Sequence, residues 1–376
     1  MIIKRKIQSL VEGSLFHGKV VIIYGARQVG KTTLVKEILK NYSESSSYLN
    51  CDEPDIRQAL ANKTSTELKS FLGSKKLIIL DEAQRVKDIG LTLKLMVDNF
   101  IGTQIIATGS SSFELSNHII EPLTGRKKEF FLYPLSLQEL SQINDELEMN
   151  RLLERRLVYG MYPSIALADG GEAETDLKEL ARSYLYKDIL NFENIRNNEA
   201  VEKLLQALAL QIGKEVSYSE LSSLVGIDKK TVASYLDILE KAFIVFRLNP
   251  FSRNLRNELK KLRKVYFYDT GVRNILINNL NPLGLRQDVG QLWENFILSE
   301  RLKCNYNNGR EQNSYFWRTR EGQEIDLIEE KGGRLSAFEF KWQSDKLKTP
   351  KSFLDAYPGS SLRLINNNNY REFVME

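Results

Sequence analysis

The chain is poor in the residues that most often carry metal and acid–base chemistry. It has only two histidines, His17 and His118, so imidazole-centred catalysis and histidine metal ligation are not expected. Its two cysteines, Cys51 and Cys304, stand far apart with no C-x-x-C pair. That argues against a zinc ribbon and for a reducing compartment, the cytoplasm. No apolar run approaches the roughly 20 residues of a membrane span. The opening MIIKRKIQSL has no long apolar stretch after its charges, so neither a membrane anchor nor a signal peptide is expected. An excess of one charge is also lacking: 53 Lys and Arg face 49 Asp and Glu, a net +4. Any nucleic-acid contact must then come from local charge. What remains, 376 residues at 42% hydrophobic, is an ordinary globular composition divided into two to four units.

The most informative stretch is VVIIYGARQVGKTT, residues 20–33. An apolar strand runs into a loop of the form G-x-x-x-x-G-K-[ST] and then a periodic helix, the context this motif requires. Gly25 and Gly30 let backbone N–H groups approach a phosphate, and Ala26, Arg27, Gln28 and Val29 complete the loop. The helix start adds unpaired N–H groups and the positive end of its dipole. Lys31 reaches the β- and γ-phosphates, Thr32 offers a hydroxyl to Mg²⁺, and Thr33 closes the motif. The expected ligands are therefore ATP and Mg²⁺.

Further along, LIILDEAQ (77–84) is a buried strand ending in Asp81 and Glu82. Asp81 suits the Mg²⁺ site, and Glu82 suits orienting or deprotonating the attacking water. A second buried strand ends in Thr108, Gly109 and Ser110–Ser112. Thr108 or Ser110 is the candidate γ-phosphate sensor, against plain turn chemistry. Arg126 precedes an aromatic strand, FFLYPL. It is either an arginine finger, in its own site or a neighbour's, or an exposed residue of a basic turn with Lys127 and Lys128.

GARQVGKTT, LIILDEAQ, ATGSSS, the Gly-Arg before the aromatic strand and YPLSLQEL together resemble a prokaryotic AAA+-type ATPase family, close to the signal-transducing NTPases with numerous domains. The resemblance implies an α/β fold with a RecA-like parallel sheet of order 5-1-4-3-2 over residues 1–140. It implies a helical lid over 141–198, where GMYPSIAL resembles another element of the family and Arg182 or Lys187 is a weak phosphate candidate. KVYFYDTG (264–271) also resembles the family.

Residues 199–250 read as helix, short helix, Gly-containing turn, helix and strand, which resembles a winged helix-turn-helix with Asp228 as N-cap. On DNA, Lys229, Lys230, Thr231, Ser234 and Tyr235 would face the major groove; a protein-binding role is the alternative. The basic stretch 251–264, with Arg253, Arg256, Lys260, Lys261, Arg263 and Lys264, would track phosphates or serve as a solvated connector.

Over 251–376, Glu294 on a helix, Asp326 in a strand and Glu339-x-Lys341 in the next resemble the PD-(D/E)XK nuclease core. Alternate residues of a strand share a face, so Glu339 and Lys341 point together and Phe338 and Phe340 point into a core. Asp326 and Glu339 suit Mg²⁺, Glu294 completes the set, and Lys341 suits stabilising hydroxide and a pentavalent phosphate. The same fold also binds without cutting. The expected function is thus an ATPase coupled to a DNA-binding or nuclease-like module, or a nucleotide switch that only binds DNA or a protein partner. No membrane partner is expected, and an oligomer is compatible with the sequence.

Overall fold

A computed structural model describes residues 2–375 apart from 43–44, 110–121, 169–170, 183–194, 196, 253–262, 320 and 348–349. The chain divides into two compact units, residues 1–134 with Lys241–Phe243, and Leu135–Glu240 with Ile244–Glu376.

In the first unit, continuous Val/Ile/Leu runs become strands buried on both faces. Strands β1 (Val20–Tyr24), β2 (Ser46–Asn50), β3 (Leu77–Asp81), β4 (Gln104–Gly109) and β5 (Lys127–Phe131) form one parallel sheet of order β2-β3-β4-β1-β5. This is the expected 5-1-4-3-2 order, read from the other edge. Every residue of β1, β3 and β4 is buried, whereas the edge strands are partly open. The fifth strand is Lys127–Phe131 rather than the expected FFLYPL. Its open edge tolerates charge, and Lys127 and Glu129 pair along it at 2.6 Å. Because the strands are parallel and in register, with Tyr24 opposite Gly109 and Leu80 opposite Ala107, the ends of β1, β3 and β4 meet on one side. Ligands bind on that side in such sheets.

The second unit starts with short helices, Leu137–Leu140, Glu146–Arg151, Leu153–Tyr159, Pro163–Ala166 and Glu172–Leu180. Arg182 is exposed, and Lys187 lies outside the described residues. The motifs GMYP and YDTG form one clasp: Asp269 accepts from the Met161 N–H at 2.6 Å and the Val272 N–H at 3.0 Å. A Cβ on Gly160 would lie 2.1 Å from Asp269 Oδ1, so only glycine allows this approach.

Next come helix Asn198–Leu210, β6 (Glu215–Val216), helix Tyr218–Val225, a left-handed turn at Gly226, helix Lys229–Lys241, β7 (Val245–Pro250) and β8 (Arg263–Phe267). Asp228 Oδ1 accepts from the N–H groups of Lys230 and Thr231, the expected cap. Tyr235 is buried, contrary to the expected groove-facing position, because Val232, Tyr235, Leu236 and Leu239 form the helix's inner stripe. Lys229, Lys230 and Ser234 stay exposed.

A long helix, Val289–Asn307, precedes the meander β9 (Asn313–Arg318), β10 (Glu324–Lys331) and β11 (Arg334–Phe340). After helix Lys351–Ala356, β12 (Ser361–Ile365) runs parallel to β11. Parallel pairing of β7 with β9 joins everything into one seven-stranded sheet, β12-β11-β10-β9-β7-β8-β6. One face packs Phe251, Trp317, Ile325, Ile328, Ala337 and Phe353.

Candidate functional sites

The loop after β1 is held from three directions. A Cβ on Gly25 would stand 2.4 Å from the Leu132 carbonyl oxygen, so the first motif glycine is required by close packing against the exit of β5. Gly30 has φ +96° and Gln28 φ +61°, left-handed positions that fold the loop back on itself. The Arg5 guanidinium donates to the carbonyls of Val29 and Tyr133, both at 2.6 Å, and pins the loop to the sheet. Helix Lys31–Lys40 starts after Gly30 with no side-chain cap, leaving its first N–H groups for an anion. Buried Lys31 donates to the Gly25 and Ala26 carbonyls at 3.0 and 2.9 Å, curled into the hollow of the loop. Thr33 is exposed on the outer side of the helix.

Asp81, 2% exposed at the end of β3, is where the polar groups of the site meet. The Thr32 hydroxyl donates to it at 2.7 Å and the Tyr48 phenol at 2.6 Å, and Thr108 donates to its other oxygen. Burial, then the Asp81 carboxylate, raises the Tyr48 phenol well above its ordinary pKa, so it remains a donor. Glu82 stands in a left-handed backbone conformation, φ +53°. Its N–H donates to Thr108 Oγ1 at 3.0 Å, and its carboxylate accepts from Gln84 Nε2 at 2.6 Å. Hard oxygens from Thr32 and Asp81 converging at the loop fit a magnesium ion completed by phosphate and water.

Thr108 is fully buried and bridges Asp81 to Glu82 at the end of the sheet, and Ser110–Ser112 lie outside the described residues. Arg126 is at the opposite end of β1, where its carbonyl accepts from Val20 N–H and its guanidinium pairs with Asp98 at 2.7 Å. Five residues of extended chain, roughly 16 Å, separate that end from Gly25. The parallel register makes a finger role within its own site geometrically unsuitable.

In the second unit, Asp326 and Glu339, each 8% exposed, line an open cavity of about 400 Å³ with Gln323, Glu324 and Lys341. Lys341 Nζ lies 3.2 Å from Glu339 Oε2, so the alternate residues do share a face, while Phe338 and Phe340 pack on Phe373. Asp326 Oδ2 accepts from the Phe340 N–H at 2.8 Å. Burial, then the neighbouring Glu339 charge, pushes Asp326 up to about 6.

Glu294 does not join these groups at the cavity. Its Oε1 accepts from Lys264 Nζ at 3.0 Å and from the Tyr266 hydroxyl at 2.5 Å. Burial, then the Asp326 charge, pushes Glu294 up to about 7 although Lys264 pulls the other way. Lys264, expected in a phosphate-tracking basic stretch, is 1% exposed and turned inward between Glu294 and Glu324. Arg253, Arg256, Lys260 and Lys261 of that stretch lie outside the described residues. Among the described residues no group of three or more His, Cys, Asp and Glu is arranged to hold a metal ion, so the expected set of Glu294, Asp326 and Glu339 is not assembled as ligands.

Sequence reading missed Arg5, Tyr48, Gln84, Lys264 and Tyr266. Only Lys264 and Tyr266 left a trace, as alternate polar positions of the strand RKVYF.

Residues 17–141 match the family described as AAA domain, and 150–283 and 289–373 match two domains of unknown function. With the loop, Asp81 and the parallel sheet, this match makes the first unit similar to the P-loop cores of AAA domains. The chain is 26% identical over 345 residues to an uncharacterized protein of Mycobacterium tuberculosis, covering 91% of this chain and 74% of that one. It is 25% identical over 338 residues to an uncharacterized protein of Methanocaldococcus jannaschii, covering 85% and 74%. Among solved structures, the Walker-type ATPase PABY2304 of Pyrococcus abyssi is similar in fold, with TM-score 0.50, 18% identity and coverage of 73% of this chain and 96% of that one. Among the described residues no helix is long and apolar enough to cross a membrane.

Proposed function

We propose that this protein hydrolyses ATP in its first unit and uses the nucleotide state to set how its second unit engages a nucleic-acid partner. The observation that supports this most is the Thr32–Asp81 hydrogen bond beside a carbonyl-held Lys31 and an uncapped helix start. Lys31 and the loop N–H groups bind the triphosphate. Thr32 and Asp81 would hold Mg²⁺, which would neutralise charge developing on the phosphates. Glu82, steadied by Gln84, orients water and takes its proton. Glu82→Gln should keep ATP affinity and slow single-turnover hydrolysis by about 100-fold or more. Unchanged hydrolysis would remove Glu82 from the mechanism, and absent ATP binding would remove the proposal.

Two architectures support the second half. Helix, β6, helix, turn, helix and the β7–β8 pair have the order of a winged helix, with Lys229, Lys230 and Ser234 exposed for phosphates or bases. Helix Val289–Asn307, the β9–β10–β11 meander, a helix and parallel β12 have the order of a PD-(D/E)XK nuclease core, with Asp326 on β10, Glu339 on β11 and Lys341 one residue past its end. Binding without cleavage is the reading favoured here, because Glu294 is engaged by Lys264 and Tyr266 rather than turned to the cavity. A fluorescent duplex titrated with ATP-loaded and nucleotide-free protein tests it. Nucleotide-dependent affinity that falls with salt and with Lys229→Ala/Lys230→Ala supports it, and Mg²⁺-dependent cutting abolished by Lys341→Ala would replace it with the nuclease reading.

A further inference from the structure

Lys264 belongs to β8, three strands away from β10 in the sheet order β10-β9-β7-β8. Its backbone pairs with Leu248 and Glu215, yet its side chain ends beside Glu324 at the start of β10 and Glu294 on helix Val289–Asn307. On the way its ammonium passes 5.5 Å from the centre of the Phe316 ring on β9. An ammonium 1% exposed is costly unless surrounded by opposite charge, and here it has two ion-pair partners and an aromatic face. The neighbouring acids supply the other half of the balance. Glu294, Glu324, Asp326 and Glu339 crowd together, and like charges at that density need a cation among them. Lys341 serves Glu339 at the mouth, and Arg318 reaches Glu324 only at 4.0 Å. Lys264 is the cation at the back. Glu294 Oε1 takes Lys264 and Tyr266, and its Oε2 lies beside Gly213, 3.0 Å from where a Cβ on that residue would stand.

We infer that the Lys264 ammonium is the resident cation of this carboxylate pocket, holding Glu294 and Glu324 as a divalent metal would and keeping the pocket metal-free while β8 is in place. Lys264 is a positioning residue, and its strand is shared with the winged-helix-like segment. Seating that segment and silencing the nuclease-like pocket are therefore one event. This inference rests on the nuclease-like reading of the pocket.

Manganese binding by the full chain, read from the free Mn²⁺ electron paramagnetic resonance signal, tests it. Each protein is compared with its own Asp326→Asn counterpart, so ions at the ATP site cancel. Wild type and Asp326→Asn should bind the same number of ions. Lys264→Gln should bind one more ion than Lys264→Gln/Asp326→Asn, at least about tenfold more tightly than any ion in the wild-type pocket. Mn²⁺ should also raise the melting temperature of Lys264→Gln and not that of Lys264→Arg, which keeps the charge. A wild-type ion lost in Asp326→Asn would overturn the inference and leave the nuclease-like reading standing. No gain of an ion in a folded Lys264→Gln would overturn both. If Lys264→Gln does not fold, Lys264→Met takes its place in the same comparison, and an Asp326-dependent ion in wild type refutes the inference by itself.

Discussion

Asp81, 2% exposed, and Glu294, 12% exposed, are both carboxylates largely withdrawn from water, and they are prepared in opposite ways. Asp81 takes hydrogen bonds from three neutral hydroxyls, those of Thr32, Tyr48 and Thr108. Its charge is oriented but not cancelled, so it can be shared with an incoming cation. Glu294 takes an ammonium and a phenol on one oxygen, so Lys264 already occupies a face a metal would need. Hydroxyl partners leave a carboxylate available to metal, whereas a buried lysine substitutes for the metal. The same residue type thus stands ready in the first unit and committed in the second.

The comparison breaks most sharply at Lys31. Lys31→Ala removes the charge that faces the phosphates, and ATP turnover should fall about 100-fold or more. A turnover assay that finds near-normal rates would mean the loop is not the working site. Next in size is the pH dependence set by Glu294. Its pKa is raised from 4.5 to about 7 in the fold, so the native state holds the proton longer than the unfolded chain. Its favourable contribution is complete below pH 4.5 and is lost as pH rises through 7, on the order of 3 kcal/mol. Chemical denaturation from pH 4.5 to 7 should show stability declining with pH, and Glu294→Gln should flatten that decline. An unchanged slope would place the burden on another group. The smallest expected effect sharpens the other side: Tyr48→Phe deletes one hydroxyl from Asp81 and should change Mg²⁺-ATP affinity by about 1 kcal/mol. Isothermal titration would read it, and no change would show that Thr32 and Thr108 suffice to orient the carboxylate.

Some features were legible because they are local. The phosphate loop is contiguous, and the reason for each residue lies within one strand–turn–helix. The parallel sheet was readable from three apolar runs whose residues are buried on both faces. The Asp228 cap and the β9–β10 hairpin follow from neighbouring residues alone. Arg126 stayed open between a finger and an exposed basic turn because its neighbours look alike at either end of a strand, and only the register with Val20 shows which end it occupies. Thr108 was correctly seen at a strand end, but pairing with β3 turns its hydroxyl onto Asp81.

By itself the sequence determined the phosphate loop, the buried strands and the spacing of Asp326, Glu339 and Lys341, all of which depend on periods of a few residues. Tertiary structure alone decided what each charge faces. Lys264 looked like one more member of a basic run, and became a buried counter-ion because strands far apart in the chain lie side by side in one sheet. Electrostatic roles depend on distance through space and on exclusion of water, and neither is written in the order of residues.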